Sequence, residues 1–156
     1  MSSASEEVGT SLHVRPLSFG DLPAVMAIER EAFSTPWREV TFEGLLARPD
    51  ADVLGAMRMG QLVGYSVCWT VGDQSELGNV AVHESERRRG TGQRLVDEAL
   101  ARVRERGSRE IFLEVRESNR AARALYEKCG FQLIGRRRHY YTKPVEDALV
   151  MRLDLV

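Results

Sequence analysis

The chain has 156 residues, 43% hydrophobic and 29% charged, the proportions of one globular domain long enough to bury a core. Its 23 acidic and 22 basic residues nearly cancel, so no overall basic field speaks for a nucleic-acid partner. No apolar run approaches membrane-spanning length, the first residues lack the apolar core of a secretion signal, and the two cysteines and three histidines show no metal-ligand spacing. We therefore expect a cytoplasmic protein that needs no metal and does not engage membrane, with Cys68 and Cys129 packed as small hydrophobes.

In chain order, residues 1–10 are small, polar and acidic and read as a flexible tail, leaving 11–156 as a single domain. Leu12, Val14 and Leu17 suggest a short first strand. A helical pattern follows from Asp21 through Val25, Met26, Ile28, Glu29 and Phe33, and Ser34-Thr35-Pro36 breaks it. A second helix carries Val40, Phe42, Leu45 and Leu46. Asp52–Met59 and Gln61–Thr70 read as a hairpin turning at Gly60. A central strand runs from about Glu76 to Val82, and a helix after it ends at Gly107. Arg109–Arg116 is another strand, and Asn119–Cys129 a helix closed by Gly130. Phe131–Tyr141 and Val145–Leu155 finish the chain as an antiparallel pair. The order β-α-α-β-β-β-α-β-α-β-β implies an α+β domain, an α/β three-layer arrangement around a mixed, mostly antiparallel sheet.

Two local patterns point to chemistry. Leu77 is out of phase with Val80 and Val82, and Gly78-Asn79 lies where the phase changes, which is the mark of a β-bulge or of a late strand start. A bulge would free a backbone N–H near Val80. Beyond Val82, the run Arg87-Arg88-Arg89-Gly90-Thr91-Gly92-Gln93 opens an amphipathic helix carrying Leu95, Val96, Ala99, Leu100 and Val103. Unpaired N–H groups at such a helix start, with glycines allowing close approach, suit a phosphate group. The stretch lacks the Gly-Lys-Ser/Thr end of a P-loop and the third glycine of a dinucleotide fingerprint. A polar turn opening a surface helix would have a similar composition.

Arg87-x-x-Gly90-x-Gly92 resembles the Arg/Gln-x-x-Gly-x-Gly/Ala signature of the GNAT acetyltransferases, whose loop cradles the pyrophosphate of coenzyme A. Leu113 to Phe131, with Asn119 and Ala-Leu-Tyr-Glu-Lys-x-Gly-Phe, looks like the second signature of that family. Glu114-Val-Arg, Phe33-x-x-Pro36-Trp37, Arg-Arg-x-Tyr140-Tyr141 and Glu146-Asp147-Ala148 are similar to one branch, the bacterial ribosomal-protein-alanine N-acetyltransferases. The likeness runs from roughly Phe33 to Met151.

The resemblance implies a GNAT fold, acetyl-CoA as cosubstrate without a metal, and a protein N-terminus as acceptor, that of a ribosomal protein. It implies direct transfer in a ternary complex, by an enzyme working as a monomer or weak dimer. Val80, Ala81 and Val82 would hold the acetyl and pantetheine arm, and Arg87 to Gln93 the pyrophosphate, with Asn119 as a further cofactor contact. Glu114 would be the general base and Tyr126 the acid for the departing thiolate, with Glu76 the alternative base. Phe33, Pro36, Trp37, Tyr140 and Tyr141 would grip the acceptor.

The residues bear these roles on their own chemistry. Glu114 is a carboxylate in an apolar strand, with Arg116 on the same face as its available partner. A protein α-amino group has a pKa of about 7.7–8.0 and a thiol about 8.5, so neither proton transfer spans a large gap. Asn119 also suits a helix cap, and Tyr126 also suits a core aromatic. Arg136-Arg137-Arg138 reads as a solvated strand edge. A lysine or small-amine acetyltransferase of the same fold, or a silent acetyl-CoA sensor, are the alternatives.

Overall fold

The computed structural model describes residues 11–156, so the expected tail at 1–10 lies outside the described residues. The elements are β1 (Leu12–Pro16), α1 (Leu22–Ala32), α2 (Glu39–Ala47), β2 (Ala51–Arg58), β3 (Gln61–Val71), β4 (Gln74–Val82), α3 (Thr91–Glu105), β5 (Glu110–Arg116), α4 (Arg120–Lys128), β6 (Gln132–Thr142) and β7 (Val145–Asp154). Their order is the one the sequence patterns gave reason to expect. They build one seven-stranded sheet in the order β1-β2-β3-β4-β5-β7-β6, in which β4 and β5 are parallel and the other neighbours antiparallel.

Each face of the sheet carries its own core. Val25, Met26 and Ile28 of α1 and Phe42 and Leu45 of α2 pack with Val53, Tyr65, Val67 and Ala81 on one face. Val96, Ala99, Leu100 and Val103 of α3 and Tyr126 of α4 pack with Leu77, Ile111, Leu113 and Val115 on the other. The strict alternation along β5 buries Ile111, Leu113 and Val115 and turns Phe112, Glu114 and Arg116 to the opposite face.

The two helices that flank the site are closed by the same device. At the end of α3 the Ser108 N–H bonds the Val103 carbonyl at 3.0 Å and the Gly107 N–H bonds that of Arg104 at 2.9 Å, with Gly107 at φ 85°. At the end of α4 the Phe131 N–H bonds the Tyr126 carbonyl and the Gly130 N–H that of Glu127, both at 3.0 Å, with Gly130 at φ 102°. Only a residue without Cβ takes that backbone conformation freely, which is why a glycine stands at both positions. The second closure lays the Phe131 ring edge-on against Tyr126, centroids 5.8 Å apart, and so fixes where Tyr126 sits.

The sheet opens at its centre. The β4–β5 ladder runs from Gln74/Glu110 to Leu77/Leu113 and stops, although β4 continues to Val82 and β5 to Arg116. At the same level Cys68 of β3 pairs with Leu77 and Val67 with Asn79, leaving Gly78 as an extra residue. This is the bulge, and the late-start reading of the strand is excluded because β4 begins at Gln74.

Candidate active site

The opening between β4 and β5 forms two adjoining cavities of about 390 Å³ each. Trp37, Gly78, Asn79, Glu114 and Tyr141 line both. The first also takes in Phe33, Val80, Asn119 and Tyr126, and the second Glu76 and Tyr140. The structure thus gathers around one opening both catalytic candidates, Val80, Asn119 and four of the five acceptor-side residues singled out from sequence. Pro36, Ala81, Val82 and the turn Arg87–Gln93 line neither cavity.

Glu114 reaches the cavities from the middle of β5, with its side chain 27% exposed. Its partner is not Arg116. The Arg137 guanidinium, reached across β7 from β6, sits 3.0 Å from the carboxylate. Arg116 instead ion-pairs with Glu146 at 3.2 Å, donates to Ser34 Oγ at 3.2 Å and to the carbonyls of Lys143 and Pro144, and stacks over Tyr141 at 4.2 Å. It ties the α1–α2 connection to the β6–β7 turn across the first cavity. The arginine run on β6 is the exposed edge strand expected, and there Arg136 pairs with Glu117 at 2.7 Å and Asp147 at 2.9 Å.

Tyr126 is 7% exposed, and burial, with the nearby Cys68, Tyr141 and Cys129, pushes its hydroxyl well above the ordinary tyrosine range. It therefore stays protonated at neutral and mildly alkaline pH. Burial, then the Glu114 charge, pushes Tyr141 up to about 12. Asn119 caps α4, its Oδ1 accepting the Ala122 N–H at 3.2 Å. Burial and the neighbouring Asp52 charge raise the Cys68 thiol far above its normal value, which leaves it unreactive.

The turn before α3 is set by a residue the sequence reading passed over. Glu86 is 3% exposed and accepts from Arg58 Nε at 2.9 Å, Arg89 Nη1 at 3.1 Å and Thr91 Oγ1 at 2.9 Å. Thr91 thus turns its side chain inward to this carboxylate, while Arg89 reaches it from an exposed position. Arg88 at φ 64° and Gly90 at φ 81° carry the chain around, and a Cβ on Gly90 would meet nothing within 4 Å. The approach to the helix start is therefore open. Gly92 serves packing as well, for its Cβ would lie 3.1 Å from Leu125 of α4.

Burial works against ionisation of Glu86, but the hydrogen bonds from Arg58 and Thr91 and the charges of Arg58 and Arg89 outweigh it, and its pKa falls below the usual carboxylate range. A folded pKa below the unfolded one contributes stability that is complete above about pH 4.3 and fades as pH falls through the folded value. Glu86→Gln should therefore cost about 1–3 kcal/mol at neutral pH. In thermal melts at pH 7, 5 and 3, the gap to wild type should narrow toward the acid end.

The α1 helix contributes a second residue without an assigned role. Glu29, wholly buried, accepts the Trp37 N–H at 2.8 Å and the Asn79 amide at 2.9 Å, and the Tyr65 hydroxyl also donates to it. Burial and the Glu29 charge hold the Tyr65 hydroxyl far above its ordinary pKa. Only the helical spacing of Glu29 with Val25 and Ile28 hinted in the sequence that this carboxylate faces inward.

Gly78 has no room for a side chain. A Cβ there would come within 2.5 Å of the Trp69 ring and 3.0 Å of Trp37. Gly78→Ala should overpack this corner and cost about 1–3 kcal/mol in denaturant titrations, with a change in tryptophan emission.

Among the described residues no group of three or more His, Cys, Asp or Glu is placed to hold a metal ion, and no helix is long and apolar enough to cross a membrane. The sequence matches the acetyltransferase (GNAT) family over residues 22–131. It is 35% identical over 144 residues to the ribosomal protein bS18-alanine N-acetyltransferase of Escherichia coli K12, covering 91% of this chain and 97% of that protein. It is also 35% identical over 144 residues to the N-alpha-acetyltransferase RimI of Mycobacterium tuberculosis H37Rv, covering 88% and 89% of the two chains. The crystal structure of the ribosomal-protein-S18-alanine N-acetyltransferase from Escherichia coli superposes with a TM-score of 0.86 at 34% identity, covering 93% of this chain and 94% of that one. Identity at this level over nearly the full length of both partners, on one shared fold, makes this chain an N-acetyltransferase that belongs to the GNAT family.

Proposed function

We propose that the enzyme takes its acetyl group from acetyl-CoA and transfers it to the α-amino group of a protein N-terminus. The alanine end of a ribosomal protein, the substrate in the names of its relatives, is the first candidate. One observation carries the mechanistic part of this reading. Glu114 and Tyr126 line a single cavity, with the Gly78–Val80 backbone of the bulged strand in the same wall.

The arrangement suits direct transfer within a ternary complex. Beyond Leu77 the β4 backbone has no ladder partner on β5, so its N–H groups near Val80 are available to a thioester carbonyl and to the charge that develops on it. Val80 to Val82 would align the acyl arm in strand fashion, and Asn119 flanks the same wall. The open turn Arg87–Gln93, with its cationic side chains and helix-start N–H groups, would hold the pyrophosphate. Glu114 would take the proton from the attacking amine, and the Tyr126 hydroxyl would donate to the departing sulfur. Tyr141, which stays protonated to about pH 12, would offer its hydroxyl to the acceptor backbone, beside Phe33, Trp37 and Tyr140, with Pro36 shaping the connection.

The test is thiol release from acetyl-CoA with alanine-initiated peptides bearing a free N-terminus, compared with N-terminally blocked peptides that contain lysine. We expect turnover with the free N-terminus alone. Turnover confined to the blocked lysine peptides would overturn the acceptor assignment, and turnover with neither would leave a small-amine substrate or a silent cofactor sensor.

A further inference from the structure

We propose that Glu29 is a positioning residue that locks the acceptor-binding connection onto the bulge of β4, and so sets where the acceptor stands relative to the acyl group. The inference rests on the N-terminal acceptor reading above.

A carboxylate that is 0% exposed is an unusual occupant of an apolar helix stripe, and among the described residues no lysine or arginine forms an ion pair with it. Its bonds are instead with three protein donors from three separate elements. The Trp37 N–H approaches Oε2 at 2.8 Å. The Asn79 amide approaches Oε1 at 2.9 Å and Oε2 at 3.2 Å, and the Tyr65 hydroxyl donates to Oε1. With these donors converging on both oxygens, Glu29 is not placed to serve as a second base, although it lines the first cavity. What it does is join Trp37, before α2, to Asn79, the residue that follows the extra Gly78.

Trp37 is held from its other side too. Its ring stands 5.4 Å from that of Phe42 and packs into the space left by the missing side chain of Gly78. Backbone and ring are therefore both referred to the bulge, and Trp37 is a wall of both cavities. Replacing the carboxylate by an amide leaves three donors for one acceptor oxygen and sets an NH₂ group against at least one of them, and a charge-assisted bond to a backbone N–H is among the stronger ones. The acceptor wall would then drift relative to the strand that aligns the acyl group. The turn Arg87–Gln93 is built on Glu86 and is independent of Glu29.

The experiment compares wild type, Glu29→Gln, Asn79→Ala and Tyr65→Phe in steady-state thiol release, with peptide and acetyl-CoA varied separately and melting temperatures measured alongside. Tyr65→Phe is the stability control, because it removes a hydroxyl that bonds Oε1 and also reaches the Asn79 side chain, while the Trp37 N–H bond and both Asn79 amide bonds to the carboxylate stay in place. We expect Glu29→Gln to raise the peptide KM about tenfold, Asn79→Ala to raise it severalfold, and both to leave the acetyl-CoA KM within twofold. Tyr65→Phe should lower the melting temperature at least as much and keep the peptide KM within twofold. The inference is overturned if Glu29→Gln and Tyr65→Phe shift the peptide KM alike, or if lost activity only follows lost folded protein with both KM values unchanged. Should Glu29→Gln fail to fold, an unchanged peptide KM in Asn79→Ala overturns it equally. A wild-type enzyme idle on free N-termini would refute the acceptor reading instead, which keeps the two failures apart.

Discussion

Glu114→Gln should lower kcat/KM for an alanine-initiated peptide by about 10²- to 10³-fold, the range of a lost general base. The amide keeps the size of the side chain and its place between the two cavities, and loses the capacity to accept a proton. The ion pair with Arg137 is lost as well, but at 60% and 27% exposure it is a surface pair worth about 0–1 kcal/mol. The melting temperature should therefore move by no more than about 4 °C. The pH profile separates a chemical role from a structural one. An α-amino group loses its proton unaided above about pH 8. If Glu114 serves chiefly to remove that proton, the ratio of wild-type to variant rates should shrink between pH 6.5 and 9. Glu76→Gln is the decisive comparison, because Glu76 lines the second cavity on the facing strand. A larger loss there than in Glu114→Gln would transfer the base to Glu76.

The fold and much of the site were legible in the sequence because both rest on local patterns. Alternation along β5 put Glu114 on the face opposite Ile111, Leu113 and Val115, and the phase change at Gly78 marked the bulge. Gly107 and Gly130 ended their helices where left-handed closures require glycine. What escaped was pairing between distant elements. Strand periodicity offers Arg116 as a partner for Glu114, two residues away on one face, yet the sheet order β5-β7-β6 brings Arg137 instead. The register break in β6 between Arg137 and Tyr141, with His139 at φ 52°, lies beyond the reach of any local pattern. Arg116 is drawn off by Glu146 and by Ser34, 30 and 82 residues away. Glu29 was missed for the same reason, and so was the distant Arg58 that helps bury Glu86. A carboxylate reads as solvated until the donors that bury it are known, and those of Glu29 lie 8, 36 and 50 residues along the chain.

Tyr126→Phe should reduce kcat by about 10- to 100-fold, less than the loss at Glu114, with both KM values and the melting temperature close to wild type. The ring keeps its edge-on contact with Phe131 and its place at the C-terminal turn of α4, so only the hydroxyl is removed. The modest size follows from the acidities. Burial pushes the Tyr126 hydroxyl above its ordinary range, so it is a weaker acid than a free phenol of pKa about 10. A thiol of pKa about 8.5 is already more acidic than that phenol, and complete transfer to a solvated thiolate would run uphill by at least about 2 kcal/mol. Two conditions make the hydroxyl useful all the same. A sulfur leaving inside this cavity would be desolvated too, which would raise its own proton affinity and narrow the gap. A hydrogen bond to a charge that exists only as the C–S bond breaks contributes about 1.5–3 kcal/mol even without transfer, which matches the expected loss. The solvent isotope effect on kcat in D₂O tells the two cases apart when chemistry limits turnover. A sizeable effect in wild type that disappears in Tyr126→Phe would mean that the proton moves with the breaking bond. An effect near unity in both, with the same loss of rate, would mean that Tyr126 stabilises the thiolate by hydrogen bonding and that the proton comes later from solvent. An unchanged kcat would remove Tyr126 from the mechanism.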